Sequence, residues 1–160
     1  MRIIPAISAV LIALPMNTNS TSEEKMKSAA VKKITPILFA REIEPCIQFW
    51  TERMGFKKTV EVPEGKTLGF AIVEKDGLEL MYQSYASVEK DSPATAAAAK
   101  KGPTFLYIDV DDLNQVLAAA GNAELVMAVR STFYGAKEFG INDPAGHYVI
   151  FAQQGAAEQH

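Results

Sequence analysis

The sequence predicts an α+β protein of two tandem βαβββ modules, and three observations carry that prediction. The order strand–helix–strand–strand–strand occurs twice. A constant offset of 70 residues pairs Thr35 with Phe105, Glu42 with Asp112 and Ile43 with Leu113. The 160 residues are 48% hydrophobic and 22% charged, as in ordinary globular chains. A half-repeat of this size cannot bury its sheet alone, so the two copies must pack together.

Residues 33–154 read as one domain, with modules at 33–85 and 104–154 and a connector at 86–103. Ile34–Ala40 is an apolar run in which Pro36 marks a strand start or edge. Glu44-Pro45 opens a helix, because proline at the first helical position loses no bond. Ile43, Cys46, Ile47, Trp50 and Met54 recur at helical spacing as one apolar stripe, and Gly55 sits at the C-terminal cap. Strands are expected at Phe56–Val62, Leu68–Glu74 and Leu78–Ser84. Pro63-Glu64-Gly65 and Lys75-Asp76-Gly77 read as turns, the second a strong hairpin signal. The connector carries charges, Pro93 and alanines, with one or two helical turns expected in Thr95–Lys101.

The pattern then restarts. Thr104–Val110 is a strand, and Asp112 can cap a helix with Gln115 three residues on. Val110, Leu113, Val116, Leu117 and Ala120 form its buried side, and Gly121 ends it. Strands follow at Glu124–Arg130, Tyr134–Ile141 and Tyr148–Gln153, with Asn142–Gly146 as the last turn.

The first 32 residues read as a leader. Arg2, the apolar run Ile3–Met16 and the polar Asn17–Lys25 follow the order of a signal peptide. Yet there is one positive charge, no clear A-x-A site, and Pro5 and Pro15 interrupt a run too short to span a bilayer. A disordered leader, or translation from Met26, is the preferred reading, with a cytoplasmic location. Residues 155–160 read as a loose tail. The net charge of −3 is spread without a basic block, so no nucleic-acid or membrane partner is expected. The single cysteine, Cys46, excludes an internal disulfide. No nucleophilic elbow, P-loop or dinucleotide fingerprint occurs.

Three motifs in order, Phe49-Trp50…Met54-Gly55-Phe56, Val110-Asp111-Asp112-Leu113 and Asn142-Asp143-Pro144-Ala145-Gly146-His147, together with the repeated βαβββ plan, give a family likeness. The chain resembles the vicinal oxygen chelate superfamily of glyoxalases, bleomycin-resistance proteins and dioxygenases. That resemblance implies a curved mixed sheet around a cup. In metal-dependent members, first and fourth strands of each module supply four ligands. Carried over, those positions are Thr35, Glu79 (or Met81), Phe105 and Ile150. Only Glu79 binds a metal well, and one carboxylate does not hold a catalytic ion. Neither a metal nor another cofactor is therefore expected. His147, in the turn, is read as an ordinary turn or surface residue, and His160 as tail.

The same comparison, with strand alternation, puts Thr35, Ile37, Phe39, Glu79, Met81, Gln83, Phe105, Tyr107, Asp109, Tyr148 and Ile150 on the cup side. Leu38, Leu80, Leu106, Ile108, Val149 and Phe151 should face the helices. Aromatic walls with sparse polar groups suit a small-molecule site. Tyr134 is assigned to the cup rim, while Lys137 and Glu138 read as solvated charges. Glu79 could serve as a general base if buried with a raised pKa, or else faces solvent on its hairpin. For Tyr107 and Tyr148 amphipathic core is the commoner role of such residues, with ligand binding as the alternative. Trp50 and Cys46 belong to the helix's buried stripe, the thiol inert.

Three functions stay open. The first is a metal-free, non-enzymatic binder of a small aromatic or amphipathic molecule, homodimeric by resemblance to the bleomycin-resistance branch. The second is a lyase- or dioxygenase-type enzyme with an atypical or absent metal site. The third is an interaction module with a closed cup.

Overall fold

A computed structural model describes residues 31–155. The expected leader falls almost wholly outside the described residues, as do residues 156–160 of the tail. The first module holds β1 (Ile37–Ala40), α1 (Glu44–Gln48), β2 (Lys57–Glu64), β3 (Thr67–Lys75) and β4 (Leu78–Ser84). A π-helical turn, Phe49–Arg53, extends α1. Two helices follow, α2 (Tyr85–Asp91) and α3 (Pro93–Ala99). The second module holds β5 (Phe105–Asp109), α4 (Leu113–Ala120), β6 (Leu125–Ser131), β7 (Lys137–Asn142) and β8 (Tyr148–Gln153).

The strands form two open four-stranded sheets, ordered β1-β4-β3-β2 and β5-β8-β7-β6. In each, the first strand runs parallel to the last of its module and the other pairs are antiparallel. Both modules therefore repeat one topology, as the sequence predicts. β2 and β6 each form one edge of their sheet, with β1 and β5 at the other, and both β2 and β6 carry register shifts.

Local chemistry explains most boundaries. Pro45 stands in the first turn of α1, and Gly55 ends the π-helical turn with a φ of 73°. Asp76 and Gly77 both have positive φ, the geometry of a tight two-residue hairpin. Asp112 caps α4 by accepting from the backbone N–H groups of Asn114 and Gln115.

Two segments depart from the expectation. The connector is largely helical, because Ser84 caps α2 by accepting from Ser87 N, and Ser92 caps α3 by accepting from Thr95 N. Val88 and Ala96 give these short helices a buried side. β7 starts at Lys137, so Tyr134 lies in the preceding loop. There the Thr132 hydroxyl accepts from Ala136 N and Gly135 takes a φ of 88°, turning the chain before the strand begins.

One hydrophobic cluster spans both modules. Leu38, Ile43, Trp50, Val73 and Leu80 of the first join Leu113, Phe139, Ile141, Val149 and Phe151 of the second. Polar ties cross the same boundary. Trp50 Nε1 donates to Tyr82 Oη at 2.6 Å, and Tyr82 Oη donates to Asp143 Oδ2 at 2.7 Å. Burial first, then Asp143, pushes the Tyr82 hydroxyl well above its ordinary range, so it stays a donor. Asp143 Oδ1 accepts from the backbone N–H of Ala145 and His147, an Asx arrangement that shapes the turn. Arg53 Nη1 donates to Ala120 O, at the C-terminal end of α4.

His147 belongs to the Asp143 turn, one of its two expected readings, but the surface alternative is corrected: it is buried. Its Nδ1 accepts from Thr104 N, so Nε2 carries the proton and donates to Phe39 O at 2.9 Å. It is thus a neutral bridge between β1 and the second module. Cys46 is buried on the α1 stripe, its thiol pushed up to about 12, chiefly by burial and then by Asp143. No helix among the described residues is long and apolar enough to cross a membrane.

Candidate functional site

The outer face of the second sheet, opposite the core, collects most of the aromatic candidates. Alternation along β8 buries Val149 and Phe151 and leaves Tyr148 and Ile150 half-buried on the other side. On β5, Phe105 is 69% exposed and Tyr107 48%. The Phe105 and Tyr148 rings meet at 5.3 Å between centroids. Register carries the face onto β7, where Glu138 pairs with Ala152 and Gly140 with Ile150.

Gly140 makes room for Tyr148. A Cβ there would lie 2.7 Å from Tyr148 Oη and 3.1 Å from Met127 Cβ. Gly140→Ala must therefore displace the tyrosine ring, at a cost of about 1–3 kcal/mol for overpacking. The expected result is a lowered urea midpoint with an unchanged denaturant slope.

Glu138 corrects the expectation of a solvated charge. Its carboxylate is 2% exposed. Oε1 accepts from Arg130 Nε at 2.8 Å and Nη2 at 2.6 Å. Oε2 accepts from Tyr134 Oη at 3.3 Å and, at the outer limit, from Tyr107 Oη at 3.5 Å. The two hydroxyls are 3.4 Å apart. That contact with Tyr134 is the main cause pushing Tyr107 up to about 12, with desolvation second. Phe133, fully exposed in the same loop, meets Tyr134 edge-on.

The first sheet's outer face is arranged differently. Ile37 pairs with Met81 and Phe39 with Gln83 across β1 and β4. Glu79 accepts from Lys33 Nζ at 2.5 Å and from Thr35 Oγ1 at 3.2 Å. The Lys33 bond holds its carboxyl below the usual range, against an opposing desolvation. The raised pKa that a general base here requires is not present. Gln83 Nε2 donates to Ser87 Oγ.

Neither face is closed. Two grooves lie elsewhere: one of about 400 Å³ beside Gln48, Glu52 and Asn142, another of about 530 Å³ beside Met54, Leu78 and Val116. The outer faces are open walls.

A family model for the glyoxalase/bleomycin resistance protein/dioxygenase superfamily matches residues 31–151. The chain belongs to this superfamily. Solved structures agree on the fold. A superfamily member from Nocardioides aligns with a TM-score of 0.64 at 17% identity, covering 84% of this chain and 91% of that one. TioX from Micromonospora sp. ML1 gives 0.64 at 16%, covering 78% and 99%. A lactoylglutathione lyase from Agrobacterium tumefaciens gives 0.62 at 14%, covering 78% and 95%. At such identities the likeness establishes architecture alone. No curated protein is significantly similar to the chain.

The superfamily's metal positions can be tested against these residues. Thr35 and Glu79 stand side by side on the first sheet, and the Glu79 carboxylate is already paired with Lys33. On the second sheet, Phe105 packs on Tyr148, and Ile150 lies beside Tyr107. One engaged carboxylate, a hydroxyl and two hydrocarbon side chains do not fit a divalent ion. Among the described residues, no three His, Cys, Asp or Glu side chains come together.

Proposed function

We propose that the chain is a non-enzymatic, metal-free binding protein that holds a small aromatic or amphipathic molecule against the outer face of its second sheet. The observation that carries this reading is the open aromatic wall of Phe105, Tyr107, Tyr134 and Tyr148 with Ile150, built around a buried carboxylate. Apolar walls supply affinity and a few fixed polar groups supply orientation. Thr35, Phe39, Glu79, Met81 and Gln83 form the matching wall on the first sheet. Because each wall is open, a homodimer that sets one protomer's first wall against its partner's second would enclose the ligand. The poor donor set supports the metal-free part. The ion pair of Glu79 with Lys33 weighs against its use as a catalytic base.

Native mass spectrometry of untagged protein prepared without added metal, with elemental analysis, tests the reading. The expected result is a metal-free dimer with a co-purified organic mass. About one divalent ion per subunit would overturn the metal-free part, and a monomer would remove the enclosing wall.

A further inference from the structure

We infer that the ligand of this wall carries a carboxylate, received by the outward edge of the Arg130 guanidinium. The inference rests on the reading of the second sheet's outer face as a ligand site.

An ionised carboxylate has about four acceptor positions. Glu138 uses all four: two N–H groups of Arg130 on Oε1, and two tyrosine hydroxyls on Oε2. It is buried, and its charge is opposed by the guanidinium beside it. A cationic ligand would find no vacant acceptor on this carboxylate.

Arg130 is in the opposite state. Its guanidinium has five N–H donors, and two are directed at Glu138. It makes no other side-chain bond among the described residues, and its side chain is 61% exposed. Glu138 therefore acts as an anchor that fixes the plane of the guanidinium. The edge left over is a planar fork, the shape that receives a carboxylate through two parallel bonds. Being held in advance, it loses little freedom on binding.

The neighbours complete the match. Arg130 pairs with Glu138 across β6 and β7, on the face that Tyr148 and Ile150 share. An aromatic acid can thus place its ring against the tyrosines and its carboxylate on the fork.

Calorimetric titration with three probes of one shape tests this: naphthoate, naphthamide and naphthylmethylamine. One charge-assisted bond sets the expected preference for naphthoate over the amide at about tenfold or more. In Arg130→Met that preference should vanish, acid and amide then binding alike. The double variant Arg130→Met, Glu138→Gln, in which no buried charge loses its partner, guards against misfolding and should behave alike. Equal binding of acid and amide, tighter binding of the amine, or a preference that survives in both variants overturns the inference while leaving the ligand site standing. Failure of all three probes to bind overturns both.

Discussion

Asp143→Ala is expected to destabilise the protein by about 2–6 kcal/mol, because it orphans two buried donors at about 1–3 kcal/mol each. The donors are the Tyr82 hydroxyl and the His147 backbone N–H. Ala145 N is also released, but on an exposed turn where water replaces the lost bond. Asp143→Asn is the informative control. Its Oδ1 still serves the turn, while its amide nitrogen faces a Tyr82 hydroxyl that already accepts from Trp50 Nε1. Tyr82 can accept a second bond but its own proton is stranded, so an intermediate loss is expected. Urea unfolding followed by circular dichroism checks the order wild type, Asn, Ala. An alanine variant within 0.5 kcal/mol of wild type, the range of about ±0.5 typical of surface sites, would refute the relay's structural weight.

Trp50→Ala should have a comparable or larger effect, about 3–5 kcal/mol for a fully buried aromatic truncated to a methyl. Trp50 is completely buried and takes edge-on contacts from Phe49 and Phe56, at 5.4 and 5.0 Å. Trp50→Phe should recover most of that loss, since the ring volume largely returns and Tyr82 can do without one incoming bond. Against a typical total of about 5–15 kcal/mol, either truncation removes a large share of stability. If Trp50→Ala and Asp143→Ala act through one relay, their double variant should lose less than the sum.

Legibility in the sequence followed the range of each interaction. The stripe Ile43, Cys46, Ile47, Trp50 and Met54 is buried throughout, and its period was sufficient to find it. The Asp76-Gly77 hairpin was readable because its backbone demand is met by the residues themselves. Alternation also separated the faces: Leu38, Leu80, Val149 and Phe151 are buried while Ile37, Phe105 and Tyr107 are exposed. Of the two connector helices, α3 overlaps the helical turns expected in Thr95–Lys101, whereas α2 was not read, although Ser84 was a usable cap signal. Tyr82 and Asp143 lie 61 positions apart, and no local pattern joins them. Glu138 was hardest to see. Beside Lys137 it looks like a surface charge, and its partners arrive from β6, the following loop and β5. Its one signal was strand parity with Gly140.

The edge strands β2 and β6 leave unequal margins to the molecule. Along its free side each offers backbone groups that another chain could copy onto, the first step toward fibres. β2 is guarded by Lys57, Lys58, Glu61 and Pro63. β6 carries exposed Leu125, Val126 and Val129 with Arg130 as its one charge. Crowding or prolonged concentration should therefore recruit strays along β6 rather than β2, and a lysine in place of Val129 is where a formulator would begin.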